Sequence, residues 1–141
     1  MSTIQDQNKS LIHRFFEVGI NQNKPDVFDE IIASNYVNYN LPAPAPGPEG
    51  LRQIVGMFKA GFLDLHATVE ASVAEDDRVA TRGYITGTHN GPFMNIPPTG
   101  NSIHVDYVDI WRIENGKATE NWVQMDMLGL MQQLGVIPTS G

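Results

Sequence analysis

Apolar residues at the start of the chain recur at the spacing of an amphipathic helix. Ser2 and Thr3 precede the run as possible N-caps, and the apolar positions that share the helical spacing are Ile4, Leu11, Ile12, Phe15, Phe16, Val18 and Ile20. Pro25 then suits the first turn of a new helix, followed by apolar residues over 27–32. This pattern predicts one long helix over 4–20 and a short second helix.

Proline interrupts the next part of the chain. Residues 36–40 are predicted to be briefly extended, and 41–50 contain four prolines that lack backbone N–H donors. The latter run is read as a surface connection, either a rigid linker or a lid over a pocket mouth. A third helix is predicted from Pro48 or Glu49 to about Phe62.

The second half of the chain alternates apolar and polar residues with a period of two, which is typical of strands. Asn115-Gly116 gives a strong hairpin signal, and Gly135 is placed to end a last helix over 127–134. Helices followed by an antiparallel meander indicate an α+β fold. The predicted strands span 68–73, 79–88, 103–113 and 118–125.

A two-residue turn at Asn115-Gly116 fixes which residues of the last two strands face each other. Glu114 would then face Lys117, and further along the hairpin the pairs would be Asp109 with Trp122, Tyr107 with Gln124 and Val105 with Asp126. One face would therefore be partly polar, as a ligand pocket requires. A slip of one residue on one strand would break up the set, which is Tyr107, Asp109, Trp122, Gln124 and Asp126.

Length and composition limit the class of protein. A chain of 141 residues is the size of one domain, so residues 1–141 are expected to form a single unit. The chain is 41% hydrophobic and 18% charged, and no apolar run approaches the roughly 20 residues of a membrane span. The N-terminus lacks the pattern of a signal peptide. We expect a cytoplasmic protein without a membrane partner.

Charge and missing motifs exclude several functions. A net charge of -7 with no basic stripe argues against nucleic acid as a partner. The chain has no cysteine, so disulfides and thiolate chemistry are excluded. The four histidines form no metal motif, and no dinucleotide-binding, phosphate-loop or serine-elbow motif occurs. We therefore expect no metal and no organic cofactor.

Asp126 is the first candidate for chemistry. A carboxylate at the inner end of a strand, beside Trp122, would have its pKa raised by desolvation and could act as an acid or base. Asp126 also directly precedes the last predicted helix, where Asp is a preferred N-cap. The residues alone leave both roles open.

The other candidates lie on strands and turns. His89 sits in a turn after a strand, where an imidazole could reach over a cavity or simply face water. Arg82 could line the pocket or be solvated, and His104 is expected to have a structural or exposed role.

Short segments along most of the chain together resemble the SnoaL-like polyketide cyclase (ester cyclase-like) family. Each segment is a weak signal alone, but their order and spacing match the family. The resembling segments are Phe15-Phe16-Glu17-Val18, Gly47-Pro-Glu-Gly-Leu-Arg52, Asp76-Asp-Arg-Val-Ala-Thr-Arg82, Gly87-Thr-His-Asn-Gly91, Pro98-Thr-Gly100, Glu114-Asn-Gly-Lys117, Trp122, Asp126 and Gln133-Leu-Gly135.

The resemblance implies a nuclear-transport-factor-like fold, a cone-shaped curved antiparallel sheet packed on the N-terminal helices. It also implies an acid/base role for Asp126 in an aldol ring closure and a cavity lined by Trp122 and His89. The chain departs from the family where many relatives carry a histidine, in Tyr36-Val-Asn-Tyr-Asn40. Asn38 or Asn40 could still donate a hydrogen bond there.

The expected function is acid/base cyclisation or isomerisation of an apolar, carbonyl-bearing small molecule. Asp126 would move the proton, and His89, Arg82 or Tyr107 would stabilise an enolate. One alternative is a binding or dimerisation domain without chemistry, and another is a hydrolase that uses paired carboxylates at Asp109 and Asp126. We also expect a homodimer through the opposite sheet face, which would carry Val108, Ile110, Val123 and Met125.

Overall fold

The computed structural model describes residues 3–41 and 43–138. Thr3 is the N-cap of helix α1 (Ile4–Arg14): its hydroxyl accepts the Asp6 N–H at 3.1 Å, and the Asp6 carboxylate accepts the Thr3 N–H at 3.4 Å. These two bonds form a capping box. Ser2 lies outside the described residues. A π-helical segment, Phe15–Asn21, continues α1, so the predicted helix is present with a wider turn in its last part.

Two further helices flank the first strand. Helix α2 (Val27–Ile31) passes directly into β1 (Ile32–Asn38), which starts earlier than the extended segment predicted from the sequence. Helix α3 (Gly47–Gly61) follows the proline-rich run, of which Pro42 lies outside the described residues. Gly47 has a φ of +71°, and a Cβ there would lie 2.8 Å from the backbone oxygen of Ser34. Only glycine fits that turn.

The strands form one five-stranded sheet in the order β1-β5-β4-β3-β2. β2 to β5 make the predicted antiparallel meander, and β1 adds to β5 in parallel at the edge. The curved, unclosed sheet and its helices confirm the α+β fold. The remaining elements are β2 (His66–Glu75), β3 (Arg78–Thr88), β4 (Ser102–Glu114), β5 (Lys117–Met125) and α4 (Met127–Gln133).

The hairpin between β4 and β5 has the predicted turn but not the predicted register. Asn115 and Gly116 both have positive φ, 51° and 76°, as a type I′ turn requires, and Glu114 faces Lys117. One pair after Ile113 and Ala118, however, Arg112 faces Glu120. Thr119 is therefore an extra residue in β5, a β-bulge.

After the bulge, every residue of β5 lies on the face opposite to the predicted one. Asp109 lies opposite Val123, and Tyr107 lies opposite Met125. The expected pairs of Asp109 with Trp122 and Tyr107 with Gln124 are wrong, because a shift of one residue exchanges the two faces of a strand.

The inner face of the sheet packs on the helices, and the buried apolar side chains form one cluster there. On β4 the inner residues alternate regularly with exposed ones. None of the helices in 3–41 and 43–138 has the length and apolar character needed to cross a membrane.

We propose that the outer face of the sheet pairs two copies of the chain. Val108 and Ile110 are 49% and 40% exposed on it, whereas Val123 and Met125 line the inner side. Replacing Val108 and Ile110 together by lysine should convert a dimer to a monomer, because buried charges oppose association. Sedimentation at micromolar concentration measures this, and a wild-type monomer would contradict the proposal.

Candidate functional site

A cavity of about 90 Å³ lies between the inner face of the sheet and the helices. The π-helical segment and α3 supply apolar walls, which include Phe15, Phe16 and Phe58. The sheet side supplies the polar groups. Those that line the cavity are Asn38, Tyr107, Asp109, Asn121 and the indole of Trp111.

Asp109 is the carboxylate of this cavity. It lies on the inner face of β4 and is only 3% exposed. Its Oδ1 accepts a hydrogen bond of 2.5 Å from the hydroxyl of Thr81, its cross-strand partner on β3. Burial raises the pKa of Asp109 to about 7, against the lowering effect of the Thr81 hydrogen bond. Asp109 can therefore hold or release a proton near neutral pH.

Trp111 lies beside Asp109 on the same face of β4. Its ring centroid is 5.0 Å from that of Phe15, and its indole N–H has no hydrogen-bond partner within the described residues. The nearby indole N–H lowers the pKa of Asp109, although the two groups do not form a hydrogen bond of regular geometry. A buried N–H without a partner is costly, so Trp111 favours an ionised carboxylate nearby.

Tyr107 is the second ionisable group of the inner face. Its hydroxyl oxygen is 3.2 Å from the Thr81 hydroxyl, and its ring stacks on Phe16 with centroids 5.5 Å apart. Burial raises the pKa of Tyr107 above its ordinary value, so the phenol stays neutral.

A separate cluster of hydrogen-bonded polar side chains joins β1 to β5. The Asn38 amide donates to the Tyr36 hydroxyl at 3.2 Å and to Asn121 Oδ1 at 3.1 Å. Asn121 donates in turn to the backbone oxygen of Ile110. The oxygen of Asn38 accepts two backbone N–H groups, those of Asn40 and Leu41. These side chains hold the cavity wall in place.

The structure places Asp126 away from the cavity. It is exposed at the start of α4, and its side chain accepts the N–H of Gly129 at 2.8 Å. The expectation that Asp126 faces the pocket is therefore wrong, because the bulge at Thr119 alters the register before it. The alternative role from the sequence, a helix N-cap, fits the observed contact.

Three further candidates lie on the outer face of the sheet. Trp122 stacks on Tyr39 with centroids 5.2 Å apart, and the Arg78 guanidinium lies 5.5 Å from the indole. Gln124 is exposed, and Arg82 is exposed beside Glu70 at 3.5 Å. None of these three residues lines the cavity.

His89 and Asn40 have structural contacts. His89 is fully buried, and its Nδ1 accepts the Thr99 N–H at 3.2 Å, which ties the loop after β3 together. Its ring centroid lies 5.4 Å from that of Phe62. The Asn40 side-chain oxygen accepts the Val123 N–H at 2.9 Å. Neither residue lines the cavity.

Of the predicted site residues, the structure brings Tyr107 and Asp109 together at the cavity. Trp111 and Thr81 were missed, although strand alternation put Trp111 on the face of Asp109. Asn121 was missed because only the bulge turns it inward. Within 3–41 and 43–138, no group of three or more His, Cys, Asp or Glu residues could hold a metal ion.

Asp109 should make stability depend on pH. An unfolded Asp ionises near 3.8, whereas folded Asp109 ionises near 7. Between these values the folded state keeps a proton that the unfolded state has lost, so the free energy of unfolding falls as pH rises. Asp109→Asn should remove this slope and be stabilised relative to wild type at about pH 8, by up to about 4 kcal/mol. Urea unfolding from about pH 4 to 8 measures it, and equal slopes would contradict the raised pKa.

The two tryptophans should report ligand binding differently. Trp111 lines the cavity and Trp122 does not, so a bound aromatic ketone such as 2-tetralone should change the emission of Trp111. The Trp122→Phe variant should respond to the ketone, and the matched Trp111→Phe variant should not. The reverse result would place the ligand on the outer face.

The chain is similar in sequence and in fold to known proteins of one family. The chain matches the profile described as SnoaL-like polyketide cyclase over residues 10–134. Comparison with curated proteins finds no match.

Solved structures with the same fold come from several bacteria. TsrD from Streptomyces laurentii is 30% identical with a TM-score of 0.85, over 93% of this chain and 96% of that one. IdmH from Streptomyces antibioticus, a proposed polyketide cyclase, is 30% identical with a TM-score of 0.78, over 92% and 99%. A proposed SnoaL-like polyketide cyclase from Jannaschia sp. CCS1 is 26% identical with a TM-score of 0.86, over 98% of both chains. The chain belongs to the SnoaL-like polyketide cyclase family.

Proposed function

We propose that the protein catalyses an acid/base reaction, aldol cyclisation or isomerisation, on an apolar carbonyl-bearing small molecule held in the cavity. Asp109 is the group that takes up and returns the proton. Membership of the SnoaL-like polyketide cyclase family and the likeness to IdmH support the class of reaction. The assignment of the proton carrier differs from the sequence expectation, which was Asp126.

The position of Asp109 is the observation that carries this proposal. Among the described residues that line the cavity, Asp109 alone has a carboxylate. Its pKa of about 7 lets both protonation states be populated at neutral pH, which is the condition for efficient general acid/base catalysis. The apolar walls keep the Asp109 carboxyl from solvent, which is the cause of this raised pKa.

The shape of the cavity limits the ligand. Its volume of about 90 Å³ is enough for several water molecules or a small organic group. Aromatic side chains form much of the helical wall, so an apolar or aromatic ligand is favoured over a charged one.

The other functions expected from the sequence have less support. A hydrolase with paired carboxylates needs a second carboxylate in the cavity, and Asp126 is exposed at α4 instead. A binding domain without chemistry would need no cavity carboxylate of shifted pKa, and Asp109 supplies one.

Asp109→Asn should abolish proton transfer while leaving the shape of the site. Asn can still accept the Thr81 hydrogen bond, but it cannot carry a proton, so the rate should fall about a hundredfold or more. The measurement is deuterium exchange at the carbons next to the carbonyl of 2-tetralone, followed by NMR in heavy water.

Asp126→Asn is the matched control, because it makes the same chemical change at an exposed cap. Asn caps about as well as Asp, so this variant should exchange at the wild-type rate. Full activity in folded Asp109→Asn, or loss of activity only in Asp126→Asn, would refute the assignment. No exchange by wild type above the buffer rate would favour a binding domain.

A further inference from the structure

Thr81 stands between the two ionisable side chains of the cavity. We propose that Tyr107, Thr81 and Asp109 form a proton relay, in which Tyr107 contacts the ligand oxygen and Thr81 passes the proton between Tyr107 and Asp109. This inference rests on the proposed function, because it adds a path by which Asp109, the proposed acid/base group, also exchanges a proton with the ligand oxygen.

The three side chains form an unbroken buried chain. The Thr81 hydroxyl lies 2.5 Å from Asp109 Oδ1 and 3.2 Å from the Tyr107 hydroxyl. The residues are 5%, 2% and 3% exposed for Tyr107, Thr81 and Asp109. Tyr107 and Asp109 line the cavity, whereas Thr81 joins them from β3 and does not.

Counting hydrogens fixes the direction of these bonds. A hydroxyl carries one hydrogen, and an ionised carboxylate can only accept. When Asp109 is ionised, Thr81 must donate to it, so Tyr107 must donate to Thr81. The Tyr107 oxygen then presents only lone pairs to the cavity, and it accepts a hydrogen bond from a ligand hydroxyl.

A proton on Oδ1 of Asp109 reverses the direction of both hydrogen bonds. Asp109 then donates to Thr81, Thr81 donates to Tyr107, and the Tyr107 hydrogen is free to point into the cavity. Tyr107 now donates to a ligand carbonyl oxygen. The protonation state of Asp109 therefore determines whether the cavity favours a hydroxyl or a carbonyl.

The transfer itself is balanced. As a ligand enol or phenol loses its hydrogen, the Tyr107 oxygen gains it, the hydrogen of Tyr107 moves to Thr81, and that of Thr81 moves to Asp109 Oδ1. One O–H bond breaks and one forms at each hydroxyl, and the negative charge moves from Asp109 to the ligand oxygen. The reverse sequence protonates the oxygen that an aldol closure turns into a hydroxyl.

No other described group at the cavity changes charge in the same pH range. Tyr36 on β1 has a raised pKa because of burial, as Tyr107 does, so both stay neutral. The side chains that reach the cavity from the π-helical segment, α3 and β5 are apolar, apart from the neutral Asn121. The relay therefore suits an enolisable ketone, whose oxygen alternates between carbonyl and hydroxyl. It also suits a phenol, whose oxygen alternates between anion and hydroxyl.

Two probes of similar size test the relay without turnover. 4-Fluorophenol offers a hydroxyl donor, and 4-fluoroacetophenone offers only a carbonyl acceptor. Their affinities are measured by fluorine NMR from about pH 5 to 9. In wild type, preference should move from the ketone to the phenol as pH rises through the Asp109 pKa of about 7, by about fivefold for one hydrogen bond.

Matched variants isolate each member of the chain. Thr81→Val keeps the shape but removes the hydroxyl, so the preference should no longer depend on pH. Thr81→Ser keeps the hydroxyl and should retain the dependence. Tyr107→Phe removes the contact atom and should abolish the preference itself, which gives a second reading if Thr81→Val does not fold.

The results separate the relay from the proposed function. A pH-dependent preference that persists in Thr81→Val or in Tyr107→Phe would show that the ligand contacts Asp109 directly, and the relay would be wrong while Asp109 could still be the acid/base group. A preference that does not change with pH in wild type would also overturn the relay. Loss of deuterium exchange in Asp109→Asn tests the proposed function independently of these affinities.

Discussion

The extra residue at Thr119 governs which side chains of β5 meet the helices. Up to Ala118 the strand follows the hairpin turn, and after Thr119 its faces are exchanged. The Thr119 hydroxyl bonds the backbone oxygen of Arg112 at 3.3 Å, and the Arg112 guanidinium pairs with Glu120 on the outer side. These contacts fix the bulge, so Asn121 faces inward with Asp109.

Burial of Asp109 on the inner face of β4 is the second constraint. The inner face provides the Thr81 hydrogen bond and the nearby Trp111 indole but no positive charge among the described cavity residues. Desolvation therefore outweighs hydrogen bonding, and the pKa rises to about 7 instead of falling as it would beside a cation. Such a carboxyl weakens the folded state at high pH, and strongly shifted pKa values of this kind cluster at functional sites.

Strand β1 forms the edge of the sheet next to β5 and packs against α3. It runs parallel to β5, with Asn38 opposite Asn121, so the two amides can bond each other and Tyr36. Asn38 also fastens the chain that leads to the proline-rich run, through the N–H groups of Asn40 and Leu41. A fully bonded network of this kind gives the cavity a rigid wall next to Asp109.

The sequence by itself determined the helices, the antiparallel meander, the hairpin turn at Asn115-Gly116 and the alternation that puts Tyr107 and Asp109 on one face. These follow from local periodicity and turn chemistry, which act between near neighbours. The sequence did not determine which side chains of β5 share this face. A bulge leaves no repeating pattern in the sequence, because it depends on packing between strands. The exposed cap at Asp126, the inward turn of Asn121 and the contact of Thr81 with Tyr107 and Asp109 were decided only when distant strands met in the tertiary structure.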